Sequence, residues 1–368
     1  YEVVLSDHSS RELYTDGQHT IPSDTVCYPA KLAHGHIESL LKMGVDMIFY
    51  PCLPYNFKEA EADNHYNCPV VAYYPELLAA NAPALEQIRF FMPYFGLHRP
   101  KDFTKRAAAW FNENLGVPPA ETKRAIPLAF AAYEAFTADM RRRGEETVAW
   151  ARANKRRIAI LAGRPYHVDP EVSHGIDRLL SSLGLVVVTE DSVAHLGKPA
   201  PVKVLNQWMY HSRLYNAARY AVEHDDCALI QLVSFGCGID SITTDEVRDI
   251  LEKGGKLYTQ LKIDDIDNLG AVRIRIRSLL AAWDSRAGRD GARRHAVHGR
   301  AGHGGGTGHG SGHAACSSHS AGSGHSSGSG HAAGSGQTAG SAQNAVMHRE
   351  PATGTEAAST ATPHEGKV

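Results

Sequence analysis

The stretch RIAILAG at residues 157–163 decides the fold, because a run of small and apolar residues leads directly into a glycine turn. A short apolar run bounded by a turn residue is typical of a strand buried on both faces of a parallel sheet. Similar strands are predicted at residues 185–189, 228–233 and 255–261, and a helix is predicted from about residue 204 to residue 224. Helical patterns separate these runs, so the sequence predicts βαβ units and an α/β fold.

The first hundred residues show the same alternation of strand and helix. Strands are predicted at residues 1–5, 45–50 and 70–74, and a helix is predicted from Pro29 to Met43. Pro29 suits the first turn of a helix, and the glycine that follows Met43 suits its end. The polar residues 56–68 are predicted to form a surface loop.

The sequence divides into four predicted regions. An N-terminal α/β subdomain covers 1–100, a helical connector 101–153, and a C-terminal α/β subdomain 154–284. Residues 285–368 are dominated by Gly, Ser, Ala and His, and such a segment cannot bury enough apolar surface to offset the entropy of ordering. We therefore expect this tail to be disordered.

Length and charge limit the classes of function. The chain has 368 residues, enough for two or three domains, and its net charge of -2 gives no basic excess for nucleic acid. It has no signal peptide and no apolar run long enough to span a bilayer, so we predict a cytoplasmic protein that does not enter the membrane. The chain begins at Tyr1, already in strand-like sequence, which suggests part of a longer protein.

Three of the six cysteines occupy equivalent positions in the predicted pattern. Cys27 opens a helix, whereas Cys52 and Cys237 each follow a predicted strand. In parallel sheets, ligands collect where strands end and helices begin. Three soft thiolates that meet there favour an iron–sulfur cluster, because helix N-termini and glycine-flanked turns stabilise anionic sulfur.

Other interpretations of the cysteines stay open on the residues alone. All three could be ordinary buried thiols, and zinc is the rival metal, although structural zinc sites usually have four ligands in closer pairs. Cys68 precedes a predicted strand and is therefore a weaker candidate ligand. Cys227 opens its strand and is predicted to lie in the core, and Cys316 lies in the tail.

Further polar motifs lie near the same predicted edge. His34 and His36 suggest either a proton donor or, more simply, histidines on a helix surface. Arg164 could bind a phosphate or carboxylate, or pair with Asp169 or Glu171. Ten of the 21 histidines lie in the tail, where they could bind metal ions loosely. No phosphate-binding glycine loop is found.

Several segments together resemble a known family. The segments are DTVCYPAK with HGH (24–36), FYPC (49–52), NHYNCP (64–69), GRPYH (163–167) and SFGCG (234–238). They resemble the 2-hydroxyacyl-CoA dehydratase superfamily, and more closely the dehydratase-like region of large activase-related proteins. The resemblance covers roughly residues 1–283.

The resemblance implies two flavodoxin-like or Rossmann-like subdomains with an iron–sulfur cluster between them. It implies that three cysteines hold the cluster, here Cys27, Cys52 and Cys237, and that the cluster is a 4Fe–4S or a double-cubane type. It also implies an ATP-hydrolysing activator, fused upstream or separate, that supplies a low-potential electron. The substrate would be a 2-hydroxyacyl-CoA or a small molecule, and a dimer fits the family.

Three hypotheses about function follow. The first is a redox iron–sulfur protein that takes part in ATP-coupled reduction or dehydration. The second is a non-catalytic electron relay or docking module of a larger activase protein. The third is a metal-handling protein whose active part is the histidine-rich tail.

Overall fold

The computed structural model describes residues 1–59, 61–199, 201–234, 236–265 and 269–300, with the side chains of 287–300 left aside. In chain order the principal elements are α1 (Arg11–Gly17), α2 (Tyr28–Lys42), β1 (Met47–Phe49), β2 (Cys52–Tyr55), α3 (Pro69–Asn81), β3 (Arg89–Phe91), β4 (Tyr94–Gly96), α4 (Pro100–Leu115), α5 (Pro119–Ala153), β5 (Ile158–Ala162), α6 (Ile176–Ser182), β6 (Val186–Thr189), α7 (Glu190–Val193), α8 (His211–Glu223), β7 (Cys227–Ser234), α9 (Gly238–Lys253), β8 (Thr259–Ile263) and α10 (Leu269–Arg300).

The largest sheet has four parallel strands in the order β6-β5-β7-β8. Every residue of β5 and β7 is buried, as their continuous apolar sequence requires. One face packs on α6 and α10 through Leu161, Ile230 and Leu232. The opposite face packs on α5, α8 and α9 through Ile160 and Leu229. The prediction of an α/β fold with parallel strands is confirmed.

The N-terminal part contains two parallel strand pairs, β1 with β3 and β2 with β4. The backbone bonding continues between the pairs, because Tyr50 N donates to Phe91 O at 2.8 Å and Cys52 N donates to Pro93 O at 2.9 Å. Segments 47–55 and 89–96 therefore run side by side, and backbone hydrogen bonds continue between the two strand pairs. Helices α2 and α3 cover its core around Ile48 and Tyr74.

Two predicted strands are wrong. Residues 1–5 form no regular element, and Tyr1, Val3 and Leu5 are largely exposed. Residues 70–74 lie within helix α3, where Pro69 occupies the first turn. The β-branched pair Val70 and Val71 favours a strand only weakly, and the proline start together with burial of one helix face outweighs that preference.

Segment 63–67 is not the surface loop that its polarity predicts. Its backbone bonds to the stretch before α8, because Tyr66 N donates to Gln207 O at 3.0 Å and Met209 N donates to Tyr66 O at 2.8 Å. His65 and Asn67 are buried. Since residues 206–209 are extended for this pairing, α8 begins at His211 rather than near residue 204 as predicted.

Residues 100–153 form α4 and α5. Helix α4 packs on the N-terminal part through Ala107 near Phe95, and α5 reaches the core of the four-stranded sheet through Val148 and Ala151. Helix α10 continues past residue 284 to Arg300. The rest of the predicted tail, with Cys316 and most of its histidines, lies outside the described residues.

Candidate functional site: a crevice lined by four cysteines

Cys237 lies at the point where the order of the parallel strands reverses. It follows β7 and is the residue directly before α9, so its backbone sits at the amino end of a helix of 16 residues. The chain leaves β5 and β7 toward opposite sides of the sheet, and such a crevice is the usual ligand site of open α/β sheets. The predicted placement of Cys237 at a strand end and a helix start is confirmed.

Cys27 directly precedes α2, as predicted, with Pro29 in the first turn of that helix. A close backbone contact joins its segment to that of Cys237. Gly236 has a left-handed backbone with a φ of +73°, and a side chain there would come within 3.1 Å of the carbonyl oxygen of Thr25. Only glycine suits both conditions, so the two cysteine-bearing turns lie side by side.

Cys68 does not precede a strand, so the reason for ranking it below the others is wrong. It caps α3, and its sulfur accepts a hydrogen bond from Val71 N at 3.5 Å. Cys27, Cys68 and Cys237 therefore share one position, each directly before the first residue of a helix. The positive helix end favours a thiolate there, whereas burial raises the pKa of the Cys237 thiol despite the opposing charge of Arg164.

Cys52 begins β2 instead of following the strand before it, although the strand β1 ends only three residues earlier. Its side chain is fully buried, and this burial, reinforced by the negative charge of Glu76, raises the pKa of its thiol to about 11. Without a cationic partner such a thiol stays protonated near neutral pH. Cys52 would therefore need a bound metal ion to become a thiolate near neutral pH.

Tyr166, whose side chain is half-buried, lies within electrostatic range of three of these sulfurs. Burial raises the pKa of its hydroxyl well above the ordinary value, and the charge of Arg164 opposes that rise. Negative charge on Cys68, Cys27 and Cys237 raises the pKa further. Cysteines from three different helices therefore lie within electrostatic range of one hydroxyl group.

The hydroxyl of Tyr50 lies within electrostatic range of both Cys52 and Cys68. Burial raises the pKa of the Tyr50 hydroxyl, and the charges of Cys52 and then Cys68 add to the rise. Cys68 is therefore near both tyrosines, with Cys52 on one side and Tyr166 on the other. We call these four residues, Cys27, Cys52, Cys68 and Cys237, the cysteine crevice.

Buried donors without acceptors surround the crevice. Among the described residues, the Tyr50 hydroxyl, the Ser234 hydroxyl and Arg164 Nε are buried and have no hydrogen-bond partner. A buried polar group without a partner costs about 1–3 kcal/mol. The inorganic sulfides of a cluster would accept such donors, so the donor set and the thiolates both fit an iron–sulfur cluster.

The same residues do not form a site for a single ion. In the part of the chain that the structure describes, no three Cys, His or carboxylate side chains come together closely enough to bind one metal ion. Each ligand of a multi-iron cluster binds a different iron atom, so cluster ligands stand further apart than the ligands of one zinc ion.

Arg164 is buried and pairs with Asp240, not with Asp169 or Glu171 as the sequence suggested. Its Nη2 donates to Asp240 Oδ2 at 2.9 Å, and its Nη1 bonds the other carboxylate oxygen. Burial would raise the pKa of Asp240, but the charge of Arg164 outweighs it and lowers that pKa. Both groups are therefore charged at neutral pH.

The guanidinium of Arg164 also lies near two other side chains, those of Cys237 and His167. Its Nη2 lies 3.8 Å from Cys237 Sγ, within hydrogen-bond range for sulfur, and 3.3 Å from His167 Nε2. His167 is fully buried, and burial followed by the charge of Arg164 lowers its pKa to about 3. A neutral imidazole and a charged guanidinium thus face the sulfur of Cys237.

His34 and His36 are buried, which corrects the expectation of a helix-surface position. His34 Nδ1 lies 2.7 Å from Thr20 Oγ1, and its Nε2 lies 2.9 Å from the Tyr74 hydroxyl. Thr20 Oγ1 already donates to Gly17 O, so His34 Nδ1 donates to Thr20 and Tyr74 donates to His34 Nε2. Burial lowers the pKa of His34 to about 4 and keeps the ring neutral.

A buried polar cluster lies beside the crevice at the end of β6. Glu190 Oε2 accepts a hydrogen bond from Gly163 N at 3.4 Å, and Glu190 Oε1 lies 3.6 Å from Arg213. Arg213 also approaches Glu59 at 3.2 Å. Burial, followed by the charge of Asp191, raises the pKa of Glu190 to about 8, so this carboxyl is mostly protonated at neutral pH.

A cavity of about 480 Å³ opens beside the turn that precedes Cys27. Thr25, Tyr28 and Lys31 line one wall, and Lys262 and Arg275 line another. Lys31 is buried and pairs with Asp265 at 3.0 Å. The cavity is large enough for part of an organic ligand, and its lining carries both cationic and acidic side chains, among them Asp24 and Asp264.

Sequence reasoning missed several residues of the site. Asp240 stands three positions after Cys237, on the first turn of α9, where a carboxylate can reach back toward the strand end. Tyr166 lies within the quoted GRPYH motif, but only the fold shows that it lies within electrostatic range of three of the sulfurs. Tyr50 is the last residue of a predicted strand, at the edge where ligands were expected, and could have been noticed.

A family model described as the CoA enzyme activase uncharacterised domain matches residues 1–193. This match confirms the predicted resemblance to activase-related proteins. No curated protein matches the chain. Within the described residues, no helix is long and apolar enough to cross a membrane.

Proposed function

Because this chain belongs to the family described as the CoA enzyme activase uncharacterised domain, we propose that it is an iron–sulfur protein of ATP-coupled, low-potential electron transfer. The electron would serve reductive or dehydration chemistry, as in the dehydratases that the sequence resembles. The proposal rests on three cysteines, Cys27, Cys68 and Cys237, that each directly precede a helix. The turns of Cys27 and Cys237 also lie against one another, at Thr25 and Gly236.

Cys27, Cys52 and Cys237 are the proposed ligands, and Cys68 is a fourth candidate with equal geometric support. Cys27, Cys68 and Cys237 present their sulfurs at helix amino ends, which lowers the cost of holding charged ligands. Cys52 is buried deeply and would close the site away from solvent. When bound, the cluster would supply one-electron chemistry that protein side chains lack.

The surrounding residues would support that chemistry in defined ways. The Tyr50 and Ser234 hydroxyls would donate to cluster sulfur, since neither has another acceptor among the described residues. The guanidinium of Arg164, held by Asp240, would place an N–H donor beside Cys237. A substrate, an acyl-CoA or a small molecule, would enter through the cavity beside Thr25 and Lys31.

The proposal includes a partner and a finer fold class. The electron would come from an ATP-hydrolysing activator domain or subunit, as the family description suggests. The four-stranded order β6-β5-β7-β8 supports a flavodoxin-like assignment for residues 154–284, because a first strand flanked by its successor and then by two later strands is the flavodoxin pattern. The cluster would lie between this subdomain and residues 1–100.

The experiment is anaerobic reconstitution of the full chain, followed by measurement of iron and acid-labile sulfide. Wild type should retain both, and Cys237→Ser should lose most of the cluster. Cys227→Ser is the matched control, because Cys227 lies at the opposite end of β7 from Cys237. Equal iron and sulfide in wild type and Cys237→Ser would refute the ligand assignment.

Single Cys52→Ser and Cys68→Ser variants decide which of these two cysteines completes the set. The ligand should be the one whose loss lowers iron content as far as Cys237→Ser does. If both losses matter equally, the site has four protein thiolates and no open iron position. That result would favour an electron relay over a site that binds substrate at iron.

A further inference from the structure

The guanidinium of Arg164 is held in one position by Asp240. Asp240 binds both Nη1 and Nη2, so the ion pair is bidentate and fixes the plane of the guanidinium. His167 Nε2 lies 3.3 Å from Nη2, but His167 Nδ1 accepts from Arg164 N, so Nε2 of the neutral ring carries the proton and does not accept from the guanidinium. The side chain is 6% exposed, so water screens its charge little.

This fixed cation is directed at one sulfur. Nη2 lies 3.8 Å from Cys237 Sγ, and the remaining Nε–H is buried without a partner. An Arg with only a structural role would need Asp240 as its one partner. Here Nη2 also lies near the sulfur of Cys237, and Nε is buried without a partner. The pairing with Asp240 leaves the guanidinium near neutral in total, so the effect on sulfur is that of a local hydrogen bond.

We propose that Arg164 is a positioning and tuning residue that donates an N–H···S hydrogen bond to Cys237 and thereby raises the reduction potential of the bound cluster. Asp240 orients the donor. Hydrogen bonds to ligand sulfur stabilise the more negative, reduced state, so they raise the potential. The inference rests on the proposed function, because it requires a cluster at Cys237.

The test compares reduction potentials in the anaerobically reconstituted full chain. The double variant Arg164→Met/Asp240→Asn removes the donor without leaving an unpaired buried charge. The new amide oxygen at position 240 can still accept the hydrogen bond from Ser234 N. Arg164→Lys keeps the charge and loses the bidentate fork. Arg248→Gln is the control, because Arg248 lies on α9 but pairs with Asp245 at the exposed surface.

Each variant is titrated spectroscopically for its midpoint potential, together with iron per chain. We expect a more negative potential in the double variant, an intermediate value in Arg164→Lys, and the wild-type value in Arg248→Gln. An unchanged potential in any iron-loaded Arg164 variant overturns the inference. So does loss of iron from both Arg164 variants, since that outcome assigns Arg164 a structural role.

The failure of the inference is distinct from the failure of the proposed function. If wild type binds no iron or sulfide, both are refuted. If wild type and variants bind iron equally and share one potential, only the role of Arg164 is refuted, and the cluster assignment stands.

Discussion

Replacing Glu190 with Gln should remove a large pH dependence from the stability of the protein. Burial first, and then the charge of Asp191, raises the pKa of Glu190 from its ordinary 4.5 to about 8, while Arg213 opposes the rise. An acid with a raised pKa in the folded state takes up a proton on folding. Its contribution to stability is complete below about pH 4.5 and is lost as the pH rises to about 8.

The two pKa values set the magnitude. Above about pH 8 the buried carboxyl costs about 4–5 kcal/mol relative to a neutral group, and about 3 kcal/mol of this change falls between about pH 5 and pH 8. Gln cannot ionise, and its carbonyl oxygen can still accept from Gly163 N. The free energy of unfolding of wild type should therefore fall by about 3 kcal/mol relative to Glu190→Gln over this interval.

The assay is urea unfolding of both proteins at a series of pH values, with Glu252→Gln, an exposed residue of α9, as the control. The control should follow wild type at every pH. A constant difference between wild type and Glu190→Gln would show that Glu190 has an ordinary pKa in the folded protein. It would refute the argument from burial.

Three further substitutions test the packing around the crevice. Asp240→Ala should lower the free energy of unfolding by about 3–5 kcal/mol in urea titrations, because it leaves the charge of Arg164 buried and uncompensated. The control Asp245→Ala removes an exposed ion pair and should cost under about 1 kcal/mol. Equal losses in the two variants would contradict the buried ion pair. Gly35→Ala should lower the melting temperature, because the new Cβ would come within 2.0 Å of Leu13 O. The control Gly238→Ala adds a Cβ in open space and should change the melting temperature little. Equal melting temperatures for the two variants would disprove the close contact between α1 and α2. Tyr74→Phe should lower the free energy of unfolding by about 1–3 kcal/mol, because it removes the donor to His34. The control Tyr73→Phe, at an exposed position, should change the free energy of unfolding little. If Tyr74→Phe leaves the free energy of unfolding unchanged, the assigned tautomer of His34 is wrong.

The strands of the four-stranded sheet could be predicted because their sequence leaves few alternatives. The run at 158–162 is too short for a helix and too apolar for a surface, and it forms β5 over the same residues. Cys27 and Cys237 were also placed correctly, because a proline or glycine next to each cysteine marks a helix start. Local chemistry was sufficient at these positions.

Contacts between distant segments explain the errors. Val70 and Val71 belong to a helix because one face of α3 is buried against the core around Tyr74, which no local pattern reveals. The late start of α8 depends on the pairing of Tyr66 with Gln207, far apart in sequence. The lower rank of Cys68 as a ligand followed from the predicted strand, whereas Cys68 caps a helix.

The partners of buried charges were equally beyond local reasoning. Arg164 has acidic residues nearby in sequence, yet it pairs with Asp240, 76 positions away. The choice depends on β5 and β7 being neighbours in the sheet, which brings their carboxyl ends together. Burial of His34 likewise depends on α1 packing closely on α2 at Gly17 and Gly35.

The most direct test of the crevice is thiol-to-thiol cross-linking of the cluster-free protein with a short bifunctional reagent. In a background that retains only Cys27 and Cys237, we expect an intramolecular cross-link between the two peptides, identified by mass spectrometry. A matched background that retains Cys27 and Cys227 should give none, because Cys227 lies at the other end of β7. Independent modification of Cys27 and Cys237, without a cross-link, would contradict the convergence on which the proposed function depends.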